Sequence, residues 1–240
     1  MTNDTYAQAR IALITGGSRG LGRALTTELL RAGWRVVTDG RDPLALTRLL
    51  ADAPNPKALI AVPGDVADSA HRNALLAAVV RSGGLDLLVN NASVLGPSPL
   101  PALAGYPIDA LKKVYDVNLI APLALTQLVL PHLERRTGRI INISSDAAVE
   151  PYEGWGGYGS SKAALDQLTD VLAAEHPGLR IYALDPGDMR TDMHARAFPG
   201  EDISDRPEPE TVVPALTQLI DGDLPSGRYR ATALLPQVTA

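Results

Sequence analysis

Short apolar runs alternate along the chain with longer stretches in which apolar residues recur every three or four positions. The runs fall at residues 10–15, 35–39, 58–62, 85–89, 139–143 and 180–184. Each is rich in Val, Ile, Leu or Ala with little polar alternation, the pattern of strands covered on both faces. Helical spacing follows most of them. Leu21, Ala24, Leu25 and Leu29 share one face, and Gly33 reads as the cap that closes that helix. Asp42-Pro43 reads as an N-cap followed by a proline at the first helical position. Further helices are predicted over 69–81, ending at Gly83-Gly84, over 108–135 with kinks or breaks at Pro122 and Pro131, over 160–176 and over 210–220. A last, edge strand is predicted over 228–235. Strands alternating with helices imply an α/β fold, a doubly wound parallel sheet of about seven strands with helices on both faces in one domain. The segment 188–209 is long, proline-rich and aperiodic, which predicts a lid over whatever site the sheet carries.

Composition narrows the function classes. The chain has 240 residues, enough for one sizeable core, with 45% hydrophobic and 20% charged residues. A net charge of −5 with both signs scattered gives no footprint for nucleic acid or an anionic membrane. The absence of cysteine excludes disulfides, thiolate catalysis and cysteine-based metal sites. No metal site is expected from the scattered histidines. The polar segment 1–10 has no signal-like apolar region, and no run is read as long enough to span a membrane, so a cytoplasmic protein is expected.

Candidate chemistry gathers at strand ends. Residues 15–22 read T-G-G-S-R-G-L-G between the first strand and the first helix. Glycines at 16, 20 and 22 would let a pyrophosphate approach the backbone at a helix N-terminus, as in Rossmann-type dinucleotide folds. The second strand runs into Gly40-Arg41, and Arg41 with Arg19 could fork onto a ribose 2′-phosphate; both being merely solvated is the competing reading. Asp39 could instead serve a 2′-hydroxyl, but strand side chains alternate, and we read it as pointing away. Asp65 and Val66 follow the third strand, and Asn90-Asn91-Ala92-Ser93 the fourth, at the carboxyl ends where open parallel sheets bind ligands. Asp65 can meet an adenine amino group, and the asparagines can tie neighbouring loops together. Ser145 ends the fifth strand. Tyr158 and Lys162 lie four apart at the start of a helix, on one face, where an ammonium can lower a phenol's pKa and fit it for acid–base work.

Taken together, these residues resemble the short-chain dehydrogenase/reductase family, in its small single-domain branch, over about residues 10–231. The resemblance implies hydride transfer between NADP(H) and a carbonyl or secondary alcohol. It makes Tyr158 the proton donor or acceptor, Lys162 its tuning partner and ribose ligand, Ser145 the holder of the substrate oxygen, and Asn118 the holder of a relay water. It places coenzyme contacts on Gly16, Ser18, Arg19, Gly20, Leu21, Gly22, Gly40, Arg41, Asp65, Val66, Asn91, Ala92, Pro186, Gly187, Met189 and Thr191 as well as Tyr158 and Lys162. Ser93 stands where the family usually has glycine, so it is expected to reshape the space beside the coenzyme. Ser93, Val94, Leu95, Ala147, Tyr152, Trp155, Met189, Met193 and Phe198 are expected to line a mainly apolar substrate pocket. A homo-oligomer, dimer or tetramer, is the expected assembly. The rival outside enzymes is an NADP-binding sensor or scaffold without turnover, against which the intact Ser145, Tyr158 and Lys162 speak. A lyase or epimerase would need a longer C-terminal substrate region.

Overall fold

The structure, a computed structural model, describes residues 9–235; most of the polar N-terminal segment read above lies outside them. Strand β1 (Ile11–Ile14) is buried at every position. Its side chains alternate between two layers, Ala12 and Ile14 entering one core and Ile11 and Leu13 the other. That alternation between two apolar layers requires helices on both sides. On the first side, helix α1 (Gly20–Arg31) packs Leu21, Leu25 and Leu29 into the core. It closes with Gly33 at φ +83°, while Trp34 N–H reaches back to the Leu29 carbonyl at 2.9 Å. Strand β2 (Arg35–Gly40), helix α2 (Pro43–Asp52) and strand β3 (Leu59–Pro63) follow. As read from Asp42-Pro43, the Asp42 side chain caps α2 by accepting from Leu44 N–H at 3.0 Å.

On the opposite side, helix α3 (Ser69–Ser82) covers β1 with Leu75 and Val79, and strand β4 (Leu87–Asn90) returns to the sheet beside β1. The long helical pattern resolves into α4 (Ile108–Tyr115), a widened π turn (Asp116–Ile120) and α5 (Ala121–Glu134), with Pro131 inside α5. Contrary to the sequence reading, the continuous segment Ile108–Glu134, 27 residues with a mean hydropathy of 1.3 in its most apolar window, is long and apolar enough to cross a membrane by length and composition. In the fold, Leu125, Val129 and Leu133 pack it against the sheet as a core helix.

Strand β5 (Arg139–Ile143), helix α6 (Gly156–Glu175), strand β6 (Arg180–Asp185), helix α7 (Asp192–Ala197), helix α8 (Val213–Asp221), strand β7 (Gly227–Arg230) and helix α9 (Ala231–Leu234) complete the chain. All seven strands are parallel, in the order β3-β2-β1-β4-β5-β6-β7. The order reverses between β1 and β4, and that switch point opens a crevice at the strands' carboxyl ends.

Several elements differ from the sequence reading. Strand β4 is Leu87–Asn90 rather than 85–89, and α6 starts at Gly156 rather than 160. The long helix is interrupted at Asp116–Ile120 rather than at Pro122 or Pro131. The final strand is shorter than 228–235, because Arg230 pairs with Asp185, the last residue of β6; beyond it β7 has no partner, and Ala231 turns into α9. The predicted lid contains a helix, α7, capped by Thr191 Oγ accepting from His194 N–H at 3.2 Å. The last predicted helix begins as a 3-10 turn, Pro209–Val212, before α8.

Candidate active site

The glycine turn is held from below. Asn91 Nδ2 donates to the carbonyls of Thr15 (2.8 Å) and Gly16 (3.2 Å), and Thr15 Oγ accepts from the amides of Asn91 and Ala92 at 3.0 Å each. Asn90 ties β4 to β5 through Asn142 Oδ1 at 2.7 Å. The asparagines thus join neighbouring strand ends. At Gly22 there is no room for a side chain: a Cβ would lie 2.5 Å from the Gly16 carbonyl oxygen and from Asn91 Nδ2. Open backbone at the start of α1 is the cradle that a pyrophosphate fits.

Asp39, read as pointing away, borders the cleft and also reaches behind the glycine turn. One carboxylate oxygen accepts from Gly16 N–H at 2.6 Å, the other meets His71 Nε2 at 2.9 Å, and both residues are buried. With both oxygens committed, Asp39 braces the glycine turn. Arg41 lies exposed on the rim of the cleft with Gly40 and Ser18. Arg19 reaches Asp42 at 2.6 Å and Asp192 of α7 at 3.2 Å, so it is ion-paired rather than simply solvated. Asp65 borders the cleft beside buried Val66, and its carboxylate caps its own turn through Ala67 N–H at 3.0 Å.

At the other end, α6 starts at Gly156 and places Tyr158 in its first turn and Lys162 one turn later. Both are buried, and Lys162 Nζ lies 5.5 Å from the Tyr158 ring centroid. Lys162 Nζ donates to the Ile143 carbonyl at 2.7 Å, which fixes the ammonium under the end of β5. Burial pushes the Tyr158 phenol up to about 12; the hydroxyls of Ser93 and Ser145 oppose this, and the charges of Asp146 and Asp185 add to it. Burial likewise lowers Lys162 to about 8, opposed by Asp166. This corrects the expectation of a phenol drawn below its usual range by the lysine. Desolvation is the largest cause, because taking the phenolate out of water disfavours its charged form.

Ser145 Oγ donates to Asp146 Oδ1 at 2.9 Å and accepts from Ala147 N–H at 3.2 Å. Asn118 sits in the π turn with its side chain fully used. Its Oδ1 accepts from Val94 N–H (2.8 Å) and Ser93 Oγ (3.1 Å), and its Nδ2 donates to Val94 O (2.9 Å) and Ser161 Oγ (3.0 Å). The side chain therefore clamps the loop after β4 to α6 and has no capacity for a water.

A cleft of about 840 Å³ joins the two ends, running from Arg19 and Arg41 past Gly16, Asn91 and Ala92 to Ser145, Tyr158 and Lys162, with Pro186, Gly187, Met189 and Thr191 along its wall. Of the expected substrate pocket, Ser93, Val94, Trp155, Met189 and Met193 line it. Leu95 and Ala147 are buried behind it with Tyr158, Phe198 stacks against Trp155, and Tyr152 is half exposed with its hydroxyl on Asp146 at 3.0 Å. The rim also carries Asp146, Asp188, Arg190 and Glu208, so the mouth is more polar than expected. Among the described residues no cluster of His, Asp or Glu could hold a metal ion.

Residues 10–202 match the sequence profile of the short chain dehydrogenases. The chain belongs to the short-chain dehydrogenase family. It is 31% identical over 232 residues to an uncharacterized oxidoreductase of Saccharomyces cerevisiae, covering 94% of this chain and 90% of the yeast protein. It is 35% identical to mouse sepiapterin reductase over 202 residues, 78% of this chain and 77% of that one. A Shigella flexneri short chain dehydrogenase, solved in complex with NADP, superposes with a TM-score of 0.86 at 27% identity, covering 93% of this chain and 97% of its own. A short-chain dehydrogenase is an oxidoreductase that works on small molecules with a nicotinamide coenzyme, and the glycine cradle, the crevice and the buried tyrosine–lysine pair fit such a group.

Two groups behind the site were not found from sequence. Arg228 on β7 donates to the Ser145 carbonyl at 3.0 Å, to Asp166 at 2.9 Å and to Asp185 at 3.3 Å. Asp166 follows Lys162 by one helical turn, a spacing readable in the sequence; Arg228 lies 83 residues from Ser145 and carries no local signal.

Proposed function

We propose that the chain is an NADPH-dependent carbonyl reductase in which Tyr158 is the general acid. The observation that carries this reading is the convergence of Tyr158, Ser145 and Lys162 at one end of a cleft whose other end is the glycine turn. When bound, the reduced nicotinamide supplies a hydride to the carbonyl carbon. Tyr158 Oη gives its proton to the carbonyl oxygen, and Ser145 Oγ, rotating away from Asp146, donates to the same oxygen. A phenol pushed up to about 12 stays protonated throughout the neutral range, so the resting protein carries the acid that reduction needs. Lys162 would hold the ribose, and its ammonium would offset charge left on the phenolate. Because the Asn118 side chain is fully hydrogen-bonded, we assign the relay water from which Tyr158 would regain its proton through Lys162 to the main-chain carbonyl of Asn118.

Preference for the 2′-phosphate rests on Arg41 and Arg19, together with Asp39. Each oxygen of Asp39 already holds one partner, Gly16 N–H and His71, which competes with its use by a ribose 2′-hydroxyl. The NADP complex of the Shigella relative points the same way. Val94, Trp155 and Met193 favour an apolar carbonyl substrate, with residues 188–209 as its lid, and the sepiapterin reductase relative offers a first candidate to assay. We place the protein in the cytoplasm as a homo-oligomer, dimer or tetramer, in keeping with its cysteine-free composition and lack of an electrostatic footprint for membranes.

The test is coenzyme oxidation by the purified protein over a panel of ketones and aldehydes, with NADPH and NADH in parallel. Turnover with NADPH exceeding that with NADH is expected. Arg41→Asp should weaken NADPH by about 1.5–3 kcal/mol, the scale of a hydrogen bond to a charged group, and leave NADH nearly unchanged. Equal losses for both coenzymes would show that Arg41 serves the fold instead.

A further inference from the structure

Behind the cleft, one guanidinium touches three separate pieces of the site. Arg228 Nη2 donates to the main-chain carbonyl of Ser145 at the end of β5 (3.0 Å) and to Asp185 Oδ2 at the end of β6 (3.3 Å). Its Nε donates to Asp166 Oδ2 on α6 (2.9 Å). Asp185 in turn accepts from Gly187 N–H at 3.0 Å, fixing the loop that borders the cleft. Asp166 and Asp185 are nearly buried, with side chains 13% and 5% exposed, and Arg228 is 22% exposed. Two carboxylates this far from water need a cation, and a planar fork meets two anions and a carbonyl at once where a point charge could not.

Resting on the reductase reading above, we propose that Arg228 is a positioning residue for the reaction, registering the serine strand, the tyrosine–lysine helix and the Pro186-Gly187 loop to one another. It also screens the carboxylates from the reacting groups. Facing Lys162 are Tyr158 and Asp166 from its own helix and the Ile143 carbonyl from β5; Asp146 and Asp185 act on Tyr158 from the turn after β5 and the end of β6. Arg230, at 3.7 Å from Asp185 and more exposed, can replace Arg228 only at that one carboxylate. Without Arg228, Asp166 keeps its Ser144 hydrogen bond but loses the guanidinium, and the charge it retains acts on Lys162 with no cation between them.

The experiment compares the parent with Arg228→Met and Arg228→Lys by two readouts. The first is NMR titration of protein labelled with carbon-13 at lysine Cε, in which exposed Lys57, Lys112 and Lys113 serve as internal references for buried Lys162. The second is kcat against KM on the best carbonyl of the panel. Arg228→Met should move the Lys162 titration to higher pH and lower kcat by about 10- to 100-fold, the scale of an ångström of misplacement, with a smaller change in KM. Arg228→Lys keeps the charge and loses the fork, so its Lys162 titration should stay near the parent's while kcat still falls. An unmoved Lys162 titration and a parental kcat in both variants, with only a lower melting temperature, would overturn the proposal and leave Arg228 a brace of the sheet edge. A shifted titration in a protein whose parent turns over no carbonyl would sink the reductase reading and leave the coupling of Arg228 to Lys162 standing.

Discussion

At the scale of single residues, the site is governed by desolvation. Tyr158 and Lys162 are both buried, and burial moves each toward its neutral form, the phenol up to about 12 and the amine down to about 8. For Lys162 this is also a statement about stability. Between about 8 and its ordinary 10.5, the unfolded chain holds a proton on this lysine that the folded chain does not, so its penalty on folding is full below about 8 and fades as pH rises to 10.5. Lys162→Met removes that dependence while Tyr158 contributes equally to both proteins. Urea denaturation at pH 7 and at pH 10 should therefore show the parent gaining roughly 1–3 kcal/mol on the variant as pH rises. A difference that does not change with pH would mean that Lys162 titrates as an ordinary exposed lysine. The helical spacing of Tyr158 and Lys162 was legible in the sequence. The direction of the phenol's shift was not, because it depends on how deeply the rest of the chain covers the ring.

At the scale of elements, the glycine turn shows how local signals and distant support combine. Its position between β1 and α1 follows from the run ending at Thr15 and the glycines at 16, 20 and 22, all visible in the sequence. Its rigidity comes from elsewhere: Asp39 from β2, His71 from α3 and Asn91 after β4. Asp39→Ala should leave the Gly16 amide and the His71 ring without their partner, destabilise the fold by about 1–3 kcal/mol and weaken NADPH. Thermal melting with a coenzyme titration checks this, and an unchanged Kd would mean that the turn holds its shape without the carboxylate. Element ends were the least legible part. Helix α7 rests on a threonine cap within a proline-rich stretch, and β7 stops where β6 stops, a limit set by pairing rather than by residues 231–235 themselves.

For the molecule as a whole, the parallel sheet brings to one edge residues that lie far apart in the chain. The carboxyl ends of β1, β2, β4, β5 and β6 deliver the glycine turn, Arg41, Asn91, Ser145 and Gly187 to a single cleft, and α6 brings Tyr158 and Lys162 across its end. That assembly was readable because each motif sits at a strand end and the alternation of elements forces the ends to one side. The charged support behind it was not, since Arg228 meets Asp166 and Ser145 only through the closing strand of the sheet. The central claim is that the phenol of Tyr158 delivers the proton in a reduction driven by NADPH. Its most direct test is the single-turnover oxidation of bound NADPH by the best carbonyl substrate, in the parent and in Tyr158→Phe, with the coenzyme Kd measured on both. The account predicts a near-parental Kd and a rate lower by about 10²–10⁴-fold in the variant; a Tyr158→Phe protein that reduces the carbonyl at close to the parental rate would contradict it.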